Sequence, residues 1–144
     1  MNPVSIDVSD KLVADGVGTF KATTGWSINI SSEPIKPATT ITIYDSGGPP
    51  PEGYQNRALK PLKSDSVQIR VRADGYETAY DKIKSVNDII IGWGRFTVED
   101  AASAILDVNY KGIFPMTGIM FLEKNDSAQY IWVVNFRAQR EEQA

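Results

Sequence analysis

Apolar residues recur along the chain at two spacings, and the spacings divide it into helices and strands. Residues 4–15 carry Val4, Ile6, Val8, Leu12 and Val13 with Asp7, Asp10 and Asp15 interleaved. This predicts a short helix that Gly16 and Gly18 close. In Trp26-Ser27-Ile28-Asn29-Ile30 and in Ile41-Thr42-Ile43-Tyr44-Asp45 every second residue is apolar, the period of a half-buried strand. Glu33-Pro34-Ile35-Lys36-Pro37 separates these runs and predicts an extended connection, because two prolines three apart exclude a helix. A long loop follows from Ser46 to about Lys63. It opens Ser46-Gly47-Gly48-Pro49-Pro50-Pro51-Glu52-Gly53-Tyr54, where the proline run favours polyproline geometry and the glycines supply bends.

The clearest strand is Val67-Gln68-Ile69-Arg70-Val71-Arg72, with Val67, Ile69 and Val71 on one face and Gln68, Arg70 and Arg72 on the other. Asp74-Gly75-Tyr76-Glu77 then reads as a capping box, Asp74 the N-cap and Glu77 the third helical residue. The helix is expected to run to about Ile91. Its core stripe is Tyr76, Ala79, Tyr80, Ile83, Val86 or Asn87, and Ile90, and Gly92 and Gly94 end it. Residues 95–104 read as a strand over Arg95–Val98 and then a loop. A short helix capped at Thr97–Asp100 is the alternative. Leu106, Val108 and Tyr110 alternate as a strand. Residues 116–123 and 130–137 predict a hairpin joined by Lys124-Asn125-Asp126-Ser127-Ala128-Gln129. The strand Tyr130-Ile131-Trp132-Val133-Val134-Asn135-Phe136 is apolar on both faces, so it is covered on both sides within the fold or meets another subunit. The charged tail from Arg137 to Ala144 is expected to fray. The order of elements predicts an α+β fold: a mixed, mainly antiparallel sheet with an N-terminal helix and one long helix on one face, in a single domain over 1–144.

Composition removes whole classes of chemistry. The 144 residues include no histidine and no cysteine. That excludes a Ser-His-Asp triad, His- or Cys-ligated zinc, imidazole acid/base steps and thiol nucleophiles. Asp45-Ser46-Gly47-Gly48-Pro49 resembles a serine-protease nucleophile signature, yet no base exists to take the serine proton, and a strand end with a sharp turn accounts for it. Glu99/Asp100 and Glu141/Glu142 are sequence neighbours, whose side chains point apart instead of converging on a metal or a sugar. Gly92-Trp93-Gly94 lacks the rest of a phosphate-cradling pattern. No cofactor is expected.

Fifteen Lys and Arg against eighteen Asp and Glu give a net charge of −3. The first 98 residues balance at eleven of each, while residues 99–144 hold four basic and seven acidic side chains. Such a chain suits neither specific binding of duplex DNA nor, for want of a 20-residue apolar run, a membrane span. Met1-Asn2-Pro3-Val4 opens with no basic stretch before an apolar run, so no signal peptide is expected. Arg70 and Arg72, with Gln68, serve either to keep a sheet face soluble or to pair with carboxylates of a neighbouring copy. Tyr130, Trp132 and Phe136 fit a core or an interface.

One ordered set of residues resembles a known family. Thr40-Ile41-Thr42-Ile43-Tyr44-Asp45-Ser46-Gly47-Gly48-Pro49, the strand Val67–Arg72, Tyr76-Glu77-Thr78-Ala79-Tyr80 opening a helix, and Val133-Val134-Asn135-Phe136 closing a hairpin are similar to the tail-completion proteins (tail terminators) of tailed bacteriophages. The likeness spans about residues 1–138. Pro49-Pro50-Pro51 and the stretch from Trp93 to about Ser103 lengthen the loops relative to that family's pattern. The resemblance implies a non-enzymatic virion subunit forming a ring, usually a hexamer, at the end of the tail tube. Its implied partners are copies of itself, the tail tube protein and a head-side connector or stopper, with DNA passing through the lumen. The resemblance also implies assembly in the host cytoplasm and a final place in the virion, at the neck end of the tail. On this view Gln68, Arg70, Arg72, Tyr130, Trp132 and Phe136 are candidate inter-subunit contacts. Ser46, Gly47, Gly48, Pro49, Pro50, Pro51 and Tyr54 form a candidate partner-facing loop. The rival expectations are a head-completion or stopper protein, a tail-tube subunit, or a small metal-dependent hydrolase.

Overall fold

Eleven residue pairs, from Lys63↔Arg140 to Ala73↔Tyr130, zip the two longest strands together antiparallel. The computed structural model describes residues 2–47, 63–98 and 108–142. Within them the order is α1 (Val4–Ala14), β1 (Thr19–Phe20), β2 (Ser27–Ile30), β3 (Thr40–Gly47), β4 (Lys63–Ala73), α2 (Tyr76–Ile91), β5 (Phe96–Val98), β6 (Val108–Pro115), β7 (Met120–Lys124) and β8 (Tyr130–Glu142). All eight strands join one sheet in the order β1-β2-β3-β4-β8-β6-β5, with β7 also on β8. The β1–β2 and β2–β3 pairs are parallel and the others antiparallel. The α+β expectation holds.

β8 is the central strand, which accounts for its two apolar faces. β4 occupies one edge along its length, while β6 and β7 lie end to end along the other. The period-two pattern assigns the faces. Val67, Ile69 and Val71 stand opposite Phe136, Val134 and Trp132, and this face receives Val4, Val8 and Leu12 from α1 with Ala79, Ile83, Val86 and Ile90 from α2. Of the two open choices on the helix stripe, Val86 is the buried residue.

Four local expectations are corrected. Asp74 does not cap α2: β4 runs on through Ala73, Gly75 in extended conformation is the N-cap, and there is no side-chain cap hydrogen bond. A Cβ at Gly75 would approach Thr78 Oγ1 to 2.8 Å, so the tight entry into the helix calls for glycine. Tyr76 and Tyr80 leave the core stripe and remain 48% and 38% exposed. The first arm of the hairpin begins at Met120 instead of Met116, because residues 116–119 form a bend held to β8 by Met116 N–H donating to Asn135 O at 2.8 Å. Residues 137–142 do not fray: they complete β8, with Ala138 and Arg140 buried. That end stays ordered because it is flanked by β4 and β6 on both edges.

The closure of α1 at Gly16, whose φ is +76°, is as expected. So is a strand at 96–98. The rest of the loop after Gly47 as far as 62, and residues 99–107 with Leu106, lie outside the described residues.

Burial decides what single changes do. Truncating Ile69→Ala opens a cavity between β4 and the helices and is expected to cost about 2–5 kcal/mol. Ile35→Ala, on a side chain 88% exposed, should stay within about 0.5 kcal/mol. Urea unfolding of both variants checks the pair.

Candidate functional site

The face of the sheet turned away from the helices carries the arginine strand positions. Thr40 and Thr42 of β3 lie opposite Arg72 and Arg70 of β4, and Ile131 and Val133 of β8 lie opposite the same pair from the other side. The connection from Ser31 to Thr39 folds back to meet them. Arg72 Nη2 donates to the carbonyl oxygens of Pro34 and Pro37 at 2.5 and 3.0 Å, with longer contacts to those of Ile35 and, through Nε, Ala38, both 3.4 Å. Glu33 pairs with Arg70 at 3.1 Å and with Arg72 at 3.8 Å. Tyr44 sits beside this group, its ring centroid 5.8 Å from the Arg70 guanidinium. Burial and then the nearby Glu33 charge push its phenol above the ordinary range. Arg72 is therefore buried and satisfied within its own chain. Arg70 and Gln68 keep partial exposure.

A second polar cluster lies on the helix side of the sheet, where Asp7 of α1 reaches Tyr110 of β6 and Arg140 of β8. Tyr110 donates its hydroxyl to Asp7, and both are buried. Arg140 stands at the centre. Its Nη2 meets Asp65 at 2.9 Å, its Nη1 donates to the carbonyl of Asn2, and Asp7 lies 3.8 Å away. Ser5 donates its backbone N–H (3.1 Å) and its hydroxyl (2.5 Å) to Asp45. These carboxylates are occupied by a guanidinium, a phenol and a serine, and a shallow cavity of about 340 Å³ opens beside them. Among the described residues no three His, Cys, Asp or Glu side chains are placed to hold a metal.

Burial dominates the titration of this cluster. It raises the Asp7 carboxyl above its ordinary 3.8, against the lowering by the Tyr110 hydrogen bond and the Arg140 charge. Burial, then the Asp7 hydrogen bond, raises the Tyr110 phenol.

The third feature is an aromatic edge. Trp132 rings Tyr76, Tyr80 and Phe121 around itself at centroid distances of 5.2, 5.0 and 5.3 Å. Tyr76 also meets Tyr130 edge-on at 5.5 Å. All five residues of β7 are exposed. Among the described residues β8 is the only strand paired to β7, so its outer edge is open. The indole Nε1 of Trp132 is buried without a hydrogen-bond partner among the described residues.

The candidates named from sequence thus separate. Phe136 is fully buried in the core and has no surface to offer, and Trp132 is 8% exposed beneath the aromatic edge. Tyr130 is half-buried at that edge. Ser46 and Gly47 are exposed at the end of β3, while Gly48, Pro49, Pro50, Pro51 and Tyr54 lie outside the described residues. Sequence reasoning missed the Asp7–Tyr110–Arg140 cluster. A signal was present: Trp132, Val134, Phe136, Ala138 and Arg140 share one strand parity, so Arg140 continues a buried row. It also missed Tyr76, Tyr80 and Phe121 as a surface, because their spacing fits a core stripe equally well.

Fold and surface together describe an α+β subunit whose open feature is a sheet edge lined with aromatic and aliphatic side chains. Residues 12–142 match the family model described as bacteriophage tail terminator protein, and the chain belongs to that family. It is a structural protein of the phage tail and part of the virion. A chain in the solved structure titled "Virion of native gene transfer agent (GTA) particle" has the same fold, with a TM-score of 0.58 and 16% identity over 96% of this chain and 95% of that chain. No curated protein sequence matches.

Tyr110→Phe removes the hydroxyl that Asp7 accepts and is expected to cost about 1–3 kcal/mol in denaturant unfolding. The sign of the pH effect follows from the raised Asp7 pKa. The folded state favours the protonated acid, so this group's contribution is full below 3.8 and is lost as pH rises through the raised value. Wild type should therefore gain stability relative to Asp7→Asn as pH falls through that range. A relative loss in paired unfolding curves would contradict the assignment.

Proposed function

We propose that the chain is the subunit of a closed ring, a homo-hexamer, that caps the tail tube, stops its polymerisation and joins it to the head-side connector. The match of residues 12–142 to the tail terminator family carries this reading. The mechanism is geometric. A ring closes when each copy presents one surface to a different surface of the next. One face of that ring complements the tube and the other does not, so tube growth ends there. The role requires no catalysis, consistent with a chain that has neither histidine nor cysteine and whose Asp7, Asp45 and Asp65 carboxylates meet Tyr, Ser and Arg side chains. Ser46 and Gly47, exposed at the end of β3, are the partner-facing positions among the described residues, and Gln68, Arg70 and Tyr130 are the sequence-named contacts that retain exposure. Assembly takes place in the host cytoplasm, and DNA passes through the lumen without sequence-specific contact.

The test is assembly itself. Negative-stain microscopy of the purified protein should show closed rings, and adding it to polymerising tail-tube subunits should arrest the tubes at a capped end. Open filaments formed by this protein alone, or association with filled heads in place of tails, would overturn the proposal.

A further inference from the structure

We propose that Asp7, Lys11 and Asp15 of α1 act as a clamp on the edge strand β5 and the turn before it, so that the N-terminal helix holds this end of the sheet in place. The three residues are spaced by four, which puts them in one row along the helix. Val4, Val8 and Leu12 form the neighbouring row and are buried in the core. The apolar row seats α1 on the sheet. Each member of the charged row meets a line of aromatic rings made by Tyr110, Phe96 and Trp93.

The contacts follow one another along that line. Tyr110 of β6 donates its hydroxyl to Asp7. Phe96 of β5 is the register partner of Tyr110 and stacks on it, with centroids 4.5 Å apart and planes 7° from parallel. Lys11 Nζ lies 4.8 Å from the Phe96 centroid and 5.2 Å from that of Trp93. Trp93 meets Phe96 edge-on at 5.8 Å and donates its indole N–H to Asp15 at 2.7 Å. An ammonium within about 6 Å of a ring is drawn to the negative charge of its face. Lys11 therefore ties α1 to one ring of the turn and one of β5, while the acids on either side hold the ends of the line.

β5 needs such a hold. Among the described residues it joins the sheet through three pairs with β6, against eleven between β4 and β8, and it stands last in the strand order. A short strand with few buried contacts opens at low free-energy cost. Thr97 adds one side-chain hydrogen bond, to Asn109 at 2.7 Å. Loss of the clamp frees residues 93–98 locally, while α1 stays seated by its apolar row. The clamp is a property of the single chain and is independent of any assembly.

Amide hydrogen exchange, read residue by residue by NMR, tests the clamp on wild type, Lys11→Met and Lys11→Arg. The methionine keeps the length and removes the charge; the arginine keeps the charge and stacks on rings. Lys21→Met is the control, since Lys21 lies 5.3 Å from the Phe20 ring at the exposed β1. In Lys11→Met the amides of residues 93–98 should exchange about tenfold faster, with those of β4 and β8 unchanged. Lys11→Arg should restore the wild-type rates, and Lys21→Met should leave residues 93–98 as they are. Unchanged exchange in Lys11→Met would overturn the clamp. So would equal acceleration throughout β4 and β8, which marks a general loss of stability, or an arginine variant as fast as the methionine one. If Lys11→Met fails to fold, Asp15→Ala, which removes the acceptor of the Trp93 indole at an exposed position, is read in the same way.

Discussion

The pairing of β4 with β8 is the constraint from which the remaining structure follows. Eleven pairs in unbroken register place Val67, Ile69 and Val71 beside Phe136, Val134 and Trp132, making one continuous apolar face for both helices to cover. The strand period is two, so a slip of one residue would turn this row to the opposite side and bring Gln68, Arg70 and Arg72 under the helices. Burying unpaired guanidinium groups there costs far more than any ladder hydrogen bond returns. The alternation in β4 therefore fixes the register, the register fixes the helix-bearing face, and that face positions α1 and α2.

Charge enters the interior only where a partner waits. Arg72 lies beneath the 31–39 connection and meets Glu33 and backbone carbonyls; Arg140 lies beneath α1 and meets Asp65, Asp7 and the carbonyl of Asn2. Each arginine joins segments far apart in sequence, one the β2–β3 connection to β4, the other the N-terminus to the last strand. Removing one partner from such a group is costly because it strands the other charge in a poorly solvated site. These two clusters specify which loop and which helix lie on which face.

For a tail terminator this arrangement leaves the chemistry inside and the open surface at the edge. The polar groups that would draw attention as a reactive site are spent on holding the fold. Among the described residues the exposed large apolar side chains include the aromatics and aliphatics of β7 and the start of α2. That separation suits a structural protein of the virion, which works through its shape.

Much of the fold was legible in the chain itself. Strict alternation marked β2, β3 and β4, the three- and four-residue spacing marked α2, and two apolar faces marked β8 as covered on both sides or meeting another subunit. Absence of His and Cys set aside whole reaction classes without any coordinates. These features are local, and local periodicity is what a sequence records. It was silent wherever two distant segments had to meet. Tyr76 and Tyr80 fit a core stripe by spacing, yet the helix is rotated so that they flank β7; Asp74 fits a cap, yet the extra length of β4 shifts the turn to Gly75; Arg140 fits a solvated tail, yet the flanking strands and α1 bury it. In each case helix rotation, strand extent and burial were set by which surfaces pack together, and that depends on contacts between residues tens of positions apart, which no single stretch of sequence contains.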